Sequence, residues 1–231
     1  MTKPKHLARI AGGLYLAMCI LGAGAHLGIR AGVRVPDDAA ATAANIIANP
    51  TLFRFALVAD IAMATVFVLL GVALHRLLRH VDRHAAGALV VFVTVGAGLM
   101  LTNLGFHLAA LLVATNPAYG QPGGDGLVLL LLDLHHHGYA LAGIFFGLWL
   151  LPLGYLAHTS GLFPKLLGVL LVAAGGAWIV GTLAVFAWPD LPTAVHTIIE
   201  APKFAEFWMV AYLITKGVRA HRADRPVPAA A

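Results

Sequence analysis

Apolar residues run along this chain in six long blocks, near 9–28, 53–77, 85–114, 127–157, 162–188 and 195–217, separated by short stretches where polar residues gather. About 20 mostly apolar residues in helical form cross the hydrocarbon core of a bilayer, so each block reads as a membrane-spanning helix. The pattern predicts an all-α, polytopic membrane protein: one six-transmembrane-helix bundle over 1–219, both termini cytoplasmic, and a disordered cytoplasmic tail at 220–231. The first loop, 29–51, carries Asp37-Asp38 near its start and Asn49-Pro50 at its end, which frame a short helix near 38–48. It is too short to span and is expected on the outer surface, as a lid. The stretch 115–126, rich in Asn, Pro and Gly, reads as irregular. Pro152 and Pro202 fall inside blocks and should kink their helices, whereas Pro164, Pro189 and Pro192 mark ends. Glycines such as Gly12, Gly138, Gly147, Gly154, Gly168 and Gly175 let helix backbones approach closely in lipid, within the chain or in a dimer.

Composition agrees with that pattern. The 231 residues are 60% hydrophobic and 11% charged, against about 25% charged in soluble domains. The 15 Lys and Arg sort by side: eleven (Lys3, Lys5, Arg9, Arg76, Arg79, Arg83, Lys165, Lys216, Arg219, Arg222, Arg225) fall on the side predicted to be cytoplasmic, leaving Arg30, Arg34, Arg54 and Lys203 outside. Topology thus accounts for the net charge of +5, and no basic surface is left for nucleic acid. Cys19 has no second cysteine to pair with and reads as a small buried residue. Residues 10–25 imitate a secretory signal ending in Ala23-Gly24-Ala25, but five further blocks follow, so an uncleaved first helix is expected.

The ionisable residues inside the blocks carry the chemical interest, because each costs a few kcal/mol or more at the centre of a bilayer and so faces a cavity, a partner or a ligand. Placed by distance from the cytoplasmic helix ends, they all fall in the predicted outer half: His26; Arg54 and Asp60; Asn103 and His107; Asp133, His135, His136 and His137; His196, Glu200, Lys203 and Glu206. His26 and His196 lie near enough to the interface to be hydrated. Helical spacing puts Asn103 with His107, Asp133 with His137, and His196 with Glu200 and Lys203, and turns His135 away from Asp133. A transition-metal site would draw on His107, Asp133, His136, His137 and Glu206. A bis-histidine haem, the second choice of cofactor, needs His107 and one imidazole from the fourth block, without a Cys-x-x-Cys-His attachment. A proton or solute path uses the same groups without a cofactor. The plainest alternative is buried ion pairing, Arg54 with Asp60 or Glu206 and Lys203 with Glu200.

Several stretches resemble a bacterial integral-membrane family known as domain of unknown function 4386. They include Arg9-Ile10-Ala11-Gly12, Leu52-Phe53-Arg54 with Asp60, Leu74-His75-Arg76-Leu77-Leu78-Arg79, His135 with Gly138-Tyr139, Pro164-Lys165-Leu166-Leu167-Gly168, Glu206 and Lys216-Gly217-Val218. The resemblance implies a multi-helix plasma-membrane protein and brings no activity with it. It points to Arg54, Asp60, His135 and Glu206 as the family's polar positions, whereas helical spacing favours Asp133 with His137. Val93 and Gly96 stand where the family commonly has a basic residue followed by Glu or Gln.

These readings converge on a bacterial cytoplasmic (inner) membrane protein with an outward-opening polar pocket. Arg54, Asp60, Asn103, His107, Asp133, His135, His137, Glu200, Lys203 and Glu206 are its candidate lining, and its ligand is a small solute, proton or metal ion. An intramembrane enzyme acting on a lipid or isoprenoid through acid–base or metal chemistry, and a structural or regulatory subunit, are the alternatives.

Overall fold

A computed structural model describes residues 4–119, 124–188 and 190–219, and every regular element among them is helical. Helix α1 starts at Pro4, is α-helical to Ala23, widens into a π-helical segment over Gly24–Arg30 and closes with Ala31–Val33. Then follow α2 (Ala39–Ala48), α3 (Pro50–Leu78), α4 (Arg83–Thr115), α5 (Asp125–Leu148), α6 (Leu150–Thr159), α7 (Lys165–Ala187), α8 (Thr193–Glu200) and α9 (Ala205–Thr215). Five stretches are long and apolar enough to cross a membrane: Pro4–Val33, Pro50–Leu78, Arg83–Thr115, Asp125–Thr159 and Lys165–Ala187. They make this an integral membrane protein.

Two sequence expectations need adjustment. The first span does not stop near residue 28 but runs to Val33, so Arg30 belongs to a helix and not to a loop. The sixth block forms no continuous helix: α8 and α9 are joined by a 3-10 turn over Ala201–Phe204. Pro202 lies in that turn, where it has no N–H to continue the α-helical ladder. The fourth block is interrupted at Trp149 for a related reason. Pro152 cannot donate to the carbonyl of Leu148, so α5 and α6 are separate helices in one apolar stretch. Lys3, Pro189, Arg222, Arg225, His221, part of the 115–126 loop and the expected tail at 220–231 lie outside the described residues.

The chain packs as two compact units. One draws on Leu14–Leu69 and Val93–Phe145. Its apolar core includes Val33 of α1, Ala43 and Ile46 of α2, Phe53 of α3, Ala110 and Leu111 of α4, and Val128 and Leu132 of α5. Helix α2 begins at Asp38, whose carboxylate accepts from the Ala41 amide at 2.9 Å. Polar bonds strap α2 to the end of α1: Thr42 Oγ1 bonds both the amide and the carbonyl of Val35, and Asn45 Nδ2 donates to the Val33 carbonyl at 3.1 Å. Short as it is, α2 is packed on its Thr42, Ala43 and Ile46 face.

The other unit draws on Met1–Gly13, Leu70–Phe92 and Phe146–Ala231. Here small residues bring backbones into contact: a Cβ on Gly154 would meet the Gly168 carbonyl oxygen at 2.7 Å, and one on Gly147 would meet that of Gly175 at 2.6 Å. Gly161, at φ 71°, turns the chain from α6 toward α7 in the left-handed region that costs other residues energy. In both units large apolar side chains stand exposed along the long helices, Phe55, Val91 and Leu183 among them. Lipid contact stabilises such a surface where water would not.

Candidate functional site

Asp60, on α3, is 2% exposed, and its Oδ2 accepts a hydrogen bond from Nη2 of Arg30. Arg30 closes the π-helical segment and is itself 9% exposed. One turn back, His26 Nε2 accepts from Arg30 Nη1 at 3.5 Å and lies 3.9 Å from Asp60 Oδ1. The wide turn of a π-helix frequently marks a functional site, and here it presents His26 and Arg30 together to one carboxylate. An arginine and an aspartate this deeply buried stand only as a pair, since removing either leaves an uncompensated charge.

Two more imidazoles complete the cluster. His107 of α4 is 0% exposed, stacks on the Phe53 ring at 3.9 Å, and donates from Nε2 to the Phe53 carbonyl at 3.0 Å. A carbonyl oxygen only accepts, so Nε2 carries the proton and Nδ1 presents a lone pair. His135 of α5 is 3% exposed, with Nδ1 at 3.2 Å from both the amide nitrogen and the backbone oxygen of Asn103. Asn103 Nδ2 also donates to the His135 carbonyl at 2.8 Å, clamping α4 to α5. The clamp depends on Gly138, because a Cβ there would collide with the Asn103 amide. His107 and His135 meet edge to face at 5.4 Å, and His26 rests against Tyr139 at 4.0 Å.

Five buried polar atoms in this cluster have no hydrogen-bond partner: Arg30 Nε, Asp60 Oδ1, Asn103 Oδ1, His107 Nδ1 and His135 Nε2. Folded proteins satisfy the great majority of such atoms, and each one left bare costs about 1–3 kcal/mol. Beside them opens a cavity of about 470 Å³, lined by the polar side chains of His26, Arg30, Arg34, His135 and His136 together with apolar residues including Phe53. At its rim Arg34 binds Asp133 through Nε at 2.7 Å and Nη2 at 2.6 Å.

Of the residues singled out from sequence, the structure therefore gathers Asp60, Asn103, His107 and His135. The others stand elsewhere. Arg54 is exposed, and the guanidinium that meets Asp60 is that of Arg30. Asp133 and His137 share a helix face, but Asp133 is taken by Arg34, while His136 and His137 are exposed and His137 Nδ1 bonds the Asp133 carbonyl at 2.8 Å. Glu200, Lys203 and Glu206 belong to the other unit. There Lys203 pairs with Glu200 at 2.5 Å and lies 3.7 Å over the Trp178 ring, whose Nε1 donates to Glu206 at 2.8 Å.

The anticipated metal set of His107, Asp133, His136, His137 and Glu206 is consequently not assembled. Among the described residues no three His, Cys, Asp or Glu side chains are grouped to hold a metal ion. Nor does the His26 and Asp60 pair fit one, since Arg30 bonds both and puts a cation where a metal would sit. A bis-histidine haem fails on spacing: His107 and His135, 5.4 Å apart, leave no room for a porphyrin and two axial bonds.

A family model matches residues 10–217, nearly the whole chain. The chain belongs to the family described as Domain of unknown function (DUF4386). One relative, an "Uncharacterized protein" of Archaeoglobus fulgidus, is 31% identical over 143 residues, covering 62% of this chain and 74% of its own. No solved structure matches. Membership leaves the chemistry of the cluster to be read from its geometry.

Sequence reasoning missed His26, Arg30 and Arg34 as participants. The signal was present: the three recur at i, i+4 and i+8, the spacing of one face on a helix that continues through residue 33. Reading the first block as ending at 28 hid it.

Proposed function

We propose that the protein is a six-crossing component of the bacterial cytoplasmic membrane, with both termini cytoplasmic, and that it binds a small solute in the cavity beside Arg30 and Asp60. The α8–α9 segment supplies the sixth crossing, since 193–215 reaches about 34 Å at 1.5 Å per residue. The excess of Lys and Arg at the predicted cytoplasmic ends supports the orientation, which opens the cavity outward.

The observation that carries this reading is that two unpaired buried polar atoms, Arg30 Nε and His135 Nε2, belong to side chains lining a cavity of ligand size. A bundle evolved only to be stable would pair those atoms or replace them, whereas a binding site keeps them for its ligand. The purified protein in lipid nanodiscs should gain thermal stability with at least one member of a panel of small metabolites and metal salts. Ala31→Phe, which fills the cavity from an exposed position on α1, should abolish that gain without lowering the melting temperature of the apoprotein. A wild type unmoved by every member of the panel would sink the proposal.

A further inference from the structure

The unpaired atoms divide by where they lie. Those on residues that line the cavity are Arg30 Nε and His135 Nε2. Arg30 Nε is a permanent donor. His135 Nδ1 stands 3.2 Å from both Asn103 Nδ2, which can donate to it, and the Asn103 backbone oxygen, which can accept from it; the tautomer in which Nδ1 accepts puts the proton on Nε2 and makes it a donor, and an anion at Nε2 selects that tautomer. The unpaired acceptors, Asp60 Oδ1, Asn103 Oδ1 and His107 Nδ1, belong to residues that do not line the cavity. Both acids of the region are set back in the same way: Asp60 is bound to Arg30, Asp133 to Arg34, and neither is part of the wall. The polar wall is thus two arginines and three histidines, with no carboxylate.

The rest of the lining is apolar. Leu27, Val33, Phe53 and Leu132 contribute to it, and Leu27 is 77% exposed on the flank of α1, where acyl chains would run. A donor-rich end with a buried, nine-tenths covered arginine and an apolar side open toward lipid is complementary to a molecule that is anionic at one end and hydrocarbon at the other.

We infer that the cavity takes an amphiphile whose carboxylate or phosphate head is bound by Arg30 Nε and His135 Nε2, with Arg34 at the rim, and whose tail lies along Leu27, Val33, Phe53 and Leu132. This rests on the solute-binding reading above and narrows it to one chemical class. Phosphate and carboxylate share the recognising chemistry, two or more oxygens accepting from a guanidinium N–H and an imidazole N–H.

The test is calorimetric binding to the full chain in phosphatidylcholine nanodiscs, with empty nanodiscs subtracted, of decanoate, decyl phosphate, decanol, decyltrimethylammonium, acetate and inorganic phosphate. Decanoate or decyl phosphate should bind at least tenfold more tightly than decanol, decyltrimethylammonium and either small anion, and whichever binds better identifies the head. Arg30→Gln should bring that ligand down to the level of decanol. Should Arg30→Gln fail to fold, Arg34→Gln, at the half-exposed rim, should weaken it several-fold and Ala31→Phe should remove it. Decanol or decyltrimethylammonium binding as tightly as decanoate would overturn the anion assignment while leaving the cavity a binding site. Acetate or inorganic phosphate binding as tightly as the decyl compounds would overturn the tail. No binding by any of the six, with stabilisation by some other solute, defeats this inference alone; no stabilisation by anything defeats the solute-binding reading with it.

Discussion

The cluster around Arg30 and Asp60 and the cluster around Lys203 and Trp178 hold similar side chains and are finished differently. Lys203 has Glu200 at 2.5 Å and the Trp178 face at 3.7 Å, and the Trp178 indole is bonded to Glu206. Its charge is answered from within, with the Glu200 side chain 37% exposed to its surroundings. Arg30 and Asp60 are also paired, yet five polar atoms around them are left bare beside a cavity. Charge in an apolar helix is therefore a poor indicator of a site by itself. On the reading proposed above, unfinished hydrogen bonding next to empty space is what separates a binding place from one that holds helices together.

The largest effect separating the two should come from removing one acid in each. Asp60→Ala strands the Arg30 charge and should cost about 3–5 kcal/mol in unfolding measurements. Converting Arg30 to Met in the same chain should recover much of that loss, because an apolar pair carries no stranded charge. Glu200→Gln leaves Lys203 over Trp178, and the Glu200 side chain is itself 37% exposed, so the cost should stay within about 1 kcal/mol. Equal losses for the two acids would erase the distinction.

A second comparison turns on glycine. Gly138→Ala drives a methyl into the Asn103 amide and should lose about 1–3 kcal/mol along with the clamp between α4 and α5. Gly13→Ala, which meets open space on α1, should instead gain up to about 1 kcal/mol from helix propensity. Smaller again is the effect of Glu206→Gln. An amide oxygen still accepts from the Trp178 indole, so the fluorescence maximum should barely shift, whereas Glu206→Leu should move it.

The smallest effect lies in the turn between α3 and α4. Asp82 accepts from the amides of Ala85 at 3.1 Å and His84 at 2.8 Å, and these bonds hold its carboxyl below its ordinary value of 3.8. A carboxyl depressed by folding stabilises the folded state above its unfolded pKa, and the contribution fades as pH falls through the folded value. Thermal melts should therefore lose this increment only below about pH 4, and Asp82→Ala should flatten that part of the profile while changing neither cluster.

Much of the fold could be read from the sequence because length and hydropathy alone decide whether a helix can cross a bilayer. The helix at 38–48 was legible from Asp38 and Pro50. What escaped was governed by tertiary pairing. Residues 26–34 look like the polar exit of a helix because His26, Arg30 and Arg34 are polar, and only the partners Asp60 and Asp133, 30 and 99 positions away from Arg30 and Arg34, let the helix go on. The interruption at Ala201–Phe204 could be anticipated as a kink from Pro202, but its extent could not. Asp60, Asn103, His107 and His135 were accessible as polar residues in apolar helices. Helical spacing within α5 alone favoured Asp133 and His137, because a single helix cannot say which of its faces is covered; the packing of α4 against α5 through Asn103 turns His135 inward instead.

The π-helical segment Gly24–Arg30 also sets the angular phase of the end of α1. Each residue of an α-helix turns the chain by about 100°, so the wider winding displaces Arg30 around the axis relative to a helix continued at the α-helical pitch. Rewinding the same seven residues at the α-helical pitch would swing the guanidinium off the carboxylate that receives it. Composition, hydropathy and every side chain of the cluster would be unchanged, and the lock and its key would simply no longer be in register.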